Sequence, residues 1–386
     1  MSEPVDGERS GELDHITLVD HHCHGVVTGD LSPSGFELLI TESSDPAPAG
    51  TSFFDTQLGL ILRRWCPPVL GLGAHAAPRD YLSRRRELGA AEVNRRFLRA
   101  AGVTDFLVDT GFQPGQLTSL AELATAADAR VHTVVRLEQV AADVAASGTG
   151  AGEFAGRYPE ALARAAAGAV AVKSIAAYRH GLHLDAQRPG RAEVTRAAAV
   201  WLKETPAGHQ PRLRSPVLLR FLLWTAIDLG LPVQIHSGFG DRDLVLHLSN
   251  PTLLTGFIRA VQPAGVPVVL LHCYPYHREA GYLAQIYPHV YCDVGLALNF
   301  TGARAHAVLA EGLELAPFGK MLYSSDAFGL PELHYLGAVV FRRALALVTA
   351  GWMREGMLTA ADARRIAAAL GAGNAQRVYG LVGNAG

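Results

Sequence analysis

Eight short runs of mostly β-branched and apolar residues recur along the chain, each ending in polar residues and followed by an Ala/Leu-rich stretch. In order they are Ile16–Val19, Asp105–Val108, Val131–Leu137, Ala169–Ile175, Val233–Ile235, Val266–Leu271, Val290–Val294 and Met321–Tyr323. Strands that alternate with helices form βαβ units and hence a parallel sheet. Eight such units is the number that closes a (β/α)8 TIM barrel, so that α/β fold is expected, as one unit over residues 1–386. The helices between the strands read as Leu117–Ala129, Pro159–Ala167, Arg191–Glu204, Ser215–Leu229, Leu253–Val261, Arg278–Ile286 and Arg304–Glu311, with a last helical region at Ala360–Val378.

The rhythm breaks after the first strand. Residues 25–95 hold a Ser/Pro/Gly-rich stretch, Ser43–Ser52, and two helical patterns before the second strand begins. A long connection at the C-terminal end of a barrel strand is where lids and pockets are built, so this segment is expected to cap the barrel mouth, with Phe53, Phe54, Leu60 and Trp65 facing it. A smaller insertion, His180–Arg191, follows the fourth strand.

With 49% hydrophobic and 18% charged residues the chain can bury a large core. A net charge of -2 gives no reason to expect nucleic acid or an anionic membrane as partner. The run Arg84-Arg85-Arg86 reads as a solvated helix face. Cys23, Cys66, Cys273 and Cys292 form no CxxC pair, which argues against a disulfide scaffold or zinc ribbon. The polar, acidic N-terminus lacks an apolar signal region, and no uninterrupted apolar run is long enough to span a bilayer. A cytoplasmic protein is the expectation, with a small molecule as its partner and a homo-oligomer left open.

The residues that end the strands carry the chemistry. The first strand runs into Asp20-His21-His22-Cys23-His24. In extended chain, side chains two apart share a face, so His22 and His24 can offer two imidazoles to one ion, at about 2.0–2.1 Å for zinc. His236 ends the fifth strand, His272 the sixth and Asp326 the eighth. A lone histidine is more often a hydrogen-bonded structural residue, and Ser325-Asp326 alone could cap a helix. Ligand-type residues at four strand ends of one barrel, however, point together to a metal site at its C-terminal rim.

On these residues the chain resembles the amidohydrolase superfamily, specifically its amidohydrolase-2 type. The resemblance rests on LVDHHCH, VKSIAAYR, VQIHSGFGD, VVLLHCYPY, MLYSSDAF and the closing GNAQRVYGL, in that order over nearly the whole chain. VKSIAAYR and IHSGFGD further resemble the branch fused or adjacent to glutamine-synthetase-like domains. The resemblance implies a Zn2+ centre of one or two ions, with Mn2+ as an alternative. His22, His24 and Asp326 would hold it, with His236 as a further ligand. Asp326 would move the proton from water to the leaving group, and His272 would polarise the scissile carbonyl or contact the ion. Lys173, at the end of the fourth strand, matches a lysine that in many members reacts with CO2 to give a carbamate bridging two ions. A neutral or ion-paired Lys173 in a one-metal site is the other reading.

Tyr178, Arg179, Tyr274, Asn299 and His334 follow strands at the same rim and are the expected substrate contacts, with Tyr276 and Glu332 beside them. Arg179 could clamp a carboxylate. Cys23 and Cys273 alternate away from the ligands and read as packed thiols, and Gly238-Phe239-Gly240 lacks the rest of a dinucleotide fingerprint. The expected activity is hydrolysis of a C–N bond in a small polar amide, of γ-glutamyl type if the branch resemblance holds. A mononuclear zinc decarboxylase and a non-catalytic binding barrel are the alternatives.

Overall fold

The computed structural model describes residues 15–111, 117–204 and 212–381; the N-terminal segment read above lies outside them. Seven parallel strands pair in chain order. They are β1 (Leu18–Cys23), β2 (Val103–Asp109), β3 (Arg130–Arg136), β4 (Ala171–Ser174), β5 (Val233–Ser237), β6 (Val268–His272) and β7 (Val290–Cys292). Every residue of β1, β4, β5 and β6 is buried, as expected of a parallel sheet covered on both faces.

The sheet is strongly curled. Val19 of β1, Leu107 of β2, Val134 of β3, Ala171 of β4 and Val269 and Leu271 of β6 meet in one buried cluster with Leu322. In a flat sheet β1 and β6 would lie about 24 Å apart at the usual strand spacing, so these side chains can meet only across the inside of a curled one. Ala372, Ala375, Val378 and Tyr379, from the last helical segments, join the same cluster and floor it. A second, larger core packs the outside of the strands against the helices.

The eighth expected strand, Met321–Tyr323, is no ladder strand. Met321 makes a single bridge to Cys292 of β7. Leu322 N donates to Cys292 O at 3.0 Å, and on the other side His21 N donates to Tyr323 O at 3.1 Å. The side chain of Asn374 takes the carbonyls of Phe318 and Met321, which diverts backbone acceptors from pairing. This segment therefore lies between β7 and β1 with a few bonds to each.

Most expected helices appear within a few residues of their reading; Arg191–Glu204 matches end to end, and Ser215 caps Pro216–Leu229. The closing region divides into Ala360–Ala368, a π-helical turn Ala369–Gly373, and Asn374–Tyr379. Leu137–Ala146 and the 24-residue helix Pro331–Arg354 were not read from the pattern. The latter is long and apolar enough to cross a membrane by length and composition, although Arg342-Arg343 interrupt its apolar run, and 56% of its most apolar window is buried in the protein.

Residues 25–95 form the helices Pro33–Glu37, Gln57–Val69 and Pro78–Leu88 and enter Ala90–Ala101. Their contacts reach segments that follow several strands. Val26 bridges Gly329, Val27 bridges Leu117, Asp45 pairs with Arg242 at 2.8 Å, and Gln57 Oε1 accepts from Ala303 N at 3.1 Å. Phe54 stacks on Phe36 inside the insertion, whereas Leu60 is 51% exposed. Arg85 overturns the solvated-face reading: it is 4% exposed and pairs with Glu332 at 2.7 Å, which also accepts from Tyr81 Oη at 2.8 Å.

Candidate metal centre

A bulge in β1 sets the geometry. Asp20 pairs with Phe106 and Cys23 with Val108, so three steps along β1 match two along β2. One extra residue re-aims the side chains that follow it. His21 and His22 consequently both project inside the sheet, toward Gln234 and Tyr379, while Cys23 packs into the outer core. His24 Nδ1 lies 3.2 Å from Asp109 O. A carbonyl can only accept, so that nitrogen carries the hydrogen and Nε2 presents its lone pair to the site.

Asp326 is the point on which the imidazoles converge. Its Oδ1 lies 3.2 Å from His22 Nε2 and 3.6 Å from His24 Nε2, and its Oδ2 lies 3.4 Å from His272 Nε2. The ring of His236 is 4.7 Å from that of His272. Buried His236 Nε2 and His272 Nε2 make no hydrogen bond among the described residues. Orphaned buried nitrogens around a carboxylate are what a cation would satisfy, and imidazole with carboxylate suits a borderline divalent ion.

Backbone strain clusters here too. Asp326, His272 and Cys273 sit at φ of 48°, 67° and 59°, which non-glycine residues seldom adopt. The turn at His272 is held by Asp293 Oδ1, which accepts from His272 N at 2.9 Å and from Gly295 N at 2.7 Å. Around Asp326, Asp20 accepts from Ser325 N at 2.9 Å and from Ser325 Oγ at 2.5 Å, and Asp326 N donates to His22 O at 3.1 Å.

Lys173 Nζ lies 2.9 Å from His22 Nε2. Burial lowers the lysine to about 8, against the pull of Asp109 and Asp326. Burial, then Lys173, takes His22 to about 3, and burial also lowers His236 and His272. The imidazoles are thus held in the neutral form in which they bind metals. Burial opposes ionisation of Asp326, but His272, His22 and His24 hold its carboxyl well below the usual range.

Of the expected substrate contacts, Tyr178 packs on His236 with ring centres 4.4 Å apart, and Arg179, next in the chain, is partly buried. Tyr274 stacks on His277 rather than on a metal-site imidazole. Asn299 is buried and donates to Leu333 O at 3.3 Å. His334 is fully buried, 3.9 Å from Asp20 and edge-on to Phe106, and Glu332 is held by Arg85 and Tyr81. The structure does not gather Asn299, His334 and Glu332 with the histidines. Asp20, Cys23 and His334 form a second close group of ligand-type atoms, but Asp20 already holds Ser325.

Sequence reasoning missed four polar neighbours of the site. Asp109 and Arg136 end β2 and β3 and pair at 2.6 Å; the strand-end rule applied to those strands would have found them. Gln234, two before His236, was legible as a polar residue in an apolar strand. Glu42 comes from the insertion; burial, then Asp326 and Asp241, pushes its carboxyl up to about 8, and no local pattern marks it.

The family model for Amidohydrolase matches residues 19–381. Among curated proteins, fluG of Emericella nidulans is 34% identical over 224 residues, 55% of this chain; the match spans 26% of that protein's length. A crystal structure described as a metal-dependent hydrolase from Lactobacillus casei is 29% identical with a TM-score of 0.82, covering 96% of this chain and 97% of that one. Glucuronate isomerase from Caulobacter crescentus shares the fold, with a TM-score of 0.65 at 16% identity over 100% of this chain and 96% of its own. With the family match running from inside β1 to two residues past Tyr379, and so through every histidine of the centre, the chain belongs to the Amidohydrolase family.

Proposed function

We propose that the protein hydrolyses a C–N bond of a small polar amide, of γ-glutamyl type, at a zinc centre in the mouth of a closed (β/α)8 barrel capped by residues 25–95. The observation that carries this is the convergence of three imidazole Nε2 atoms within 3.6 Å of one carboxylate. His22, His24, His236, His272 and Asp326 would hold the metal, and Lys173, as its carbamate, would bridge two ions. A divalent ion at such a site lowers the pKa of water and polarises a carbonyl. Asp326 takes the proton from the attacking water at a carboxylate oxygen and delivers it to the leaving nitrogen. Tyr178, packed on His236, orients the substrate, the neighbouring Arg179 binds its carboxylate, and Glu42 closes the site from the cap.

A second reading is a one-metal decarboxylase. It is favoured by the lysine itself: as a plain amine Lys173 already has a partner in His22 at 2.9 Å. Metal analysis of protein purified without added metal, for wild type and Lys173→Ala, separates the two. Two ions in wild type and one in the variant, with activity partly regained on adding short carboxylic acids, support the carbamate bridge. One ion retained by both moves the assignment to the decarboxylase. Full turnover in rigorously metal-free protein would overturn both.

A further inference from the structure

We propose that Gln234 and Tyr379 are positioning residues that fix the tautomer and direction of His22, so that the helix Asn374–Tyr379 orients the metal centre; this rests on the metal-site reading above. The hydrogen-bond directions leave little freedom. The side-chain amide of Gln234 touches His21 O at 2.7 Å and Tyr379 Oη at 3.0 Å with one end, and His22 Nδ1 at 2.8 Å with the other. A backbone carbonyl only accepts, so the end facing His21 O is the NH2 group and the end facing His22 is the oxygen. His22 must then carry its hydrogen on Nδ1, and its Nε2 lone pair points to Asp326 and Lys173.

The same logic runs backward along the chain of contacts. Tyr379 Oη accepts from Gln234, so its one hydrogen goes to His21 Nδ1 at 2.9 Å. His21 Nε2 then carries the ring hydrogen, and Asp293 Oδ2 lies 3.0 Å from it as a charge contact. The other oxygen of Asp293 holds the backbone of His272. Tyr379, Gln234, His21 and His22 thus form one directed hydrogen-bonded series, and the 3.0 Å contact of His21 Nε2 with Asp293 Oδ2 links it to Asp293. One end holds the imidazole of His22, and the other holds the backbone of His272, whose ring also faces Asp326. Burial raises the Tyr379 phenol above its ordinary range, which keeps its hydrogen in place.

Zinc affinity, measured at pH 7 by competition with a chromogenic chelator, tests the idea alongside thermal unfolding of the metal-free protein. Tyr379→Phe keeps the ring stacked on His21 and removes one oxygen. It should weaken zinc binding about 10-fold, and Gln234→Leu by about 10–100-fold, the range for lost outer partners of a ligand. Val378→Ala is the control. It trims the same floor without touching the series, so it should lower the melting temperature and leave zinc affinity unchanged. If wild type binds no divalent ion, the metal-site reading falls and this inference with it. If wild type binds zinc and Tyr379→Phe binds it equally well, the inference alone is overturned. The same follows if Val378→Ala weakens zinc as much as Tyr379→Phe does, since the effect would then be general loosening.

Discussion

Asp326 combines a strained backbone with a carboxylate that three imidazoles surround. Asparagine tolerates the left-handed region better than most residues, so Asp326→Asn tests the carboxylate and spares the turn. Steady-state kinetics on an amide that the enzyme turns over should show kcat lower by about 10^2–10^4, the range for a lost acid–base group. A near-normal kcat would place the proton transfer elsewhere. At this scale the sequence was readable where the contact was local. His22 and His24 share a face because strand side chains alternate, and that needs five residues of context. Tyr379 was not readable as part of the site, because its partner His21 lies 358 residues away and nothing near Tyr379 marks it.

The strands were legible as elements because each is a short apolar run bounded by polar residues. The bulge in β1 was not, since it is defined by what Phe106 and Val108 pair with. The eighth segment failed as a strand for a similar reason: Asn374 takes the Met321 carbonyl from outside it. Two predictions belong here. Arg136 is buried against Asp109 across β2 and β3, so Arg136→Met leaves a buried carboxylate without its cation and should cost about 3–5 kcal/mol in urea unfolding. A loss under 1 kcal/mol would show that the pair is not important to stability. Asp105 starts the same ladder with Arg130 at 2.7 Å and His132 at 2.9 Å. Burial opposes ionisation there, but His132, Arg130 and Thr104 hold the carboxyl well below the ordinary range. A carboxyl depressed on folding stabilises the protein above its unfolded pKa, near 3.9, and that contribution is lost as pH falls through the folded value. Asp105→Asn should therefore be less stable at neutral pH, and its acid unfolding curve below about pH 4 should be shallower. Parallel curves for wild type and variant would refute the assignment.

Across the whole molecule, the insertion was visible as a broken rhythm, but the way it docks was not. Three arginines in a row look solvated until Glu332, on a helix more than two hundred residues later, takes Arg85. Arg85→Met should strand the buried Glu332 carboxylate and cost about 3–5 kcal/mol. Limited proteolysis should then cut within residues 25–95 faster than in wild type; an unchanged digestion pattern would mean that other contacts hold the insertion. The floor of the inner cluster has a consequence for biosynthesis. Val19 and His21 are among the first described residues to leave the ribosome, and Ala372–Tyr379, which complete their packing, are among the last. At about 5–20 residues per second, the first strand waits roughly 20–70 s for the segment that covers its inner face. Through that interval His21 lacks the contact that Tyr379 makes with it in the folded protein. A nascent chain of this kind has to stay unaggregated with its first strand uncovered on the inside, and the packing around that strand can be completed only once residues 372–379 have been made.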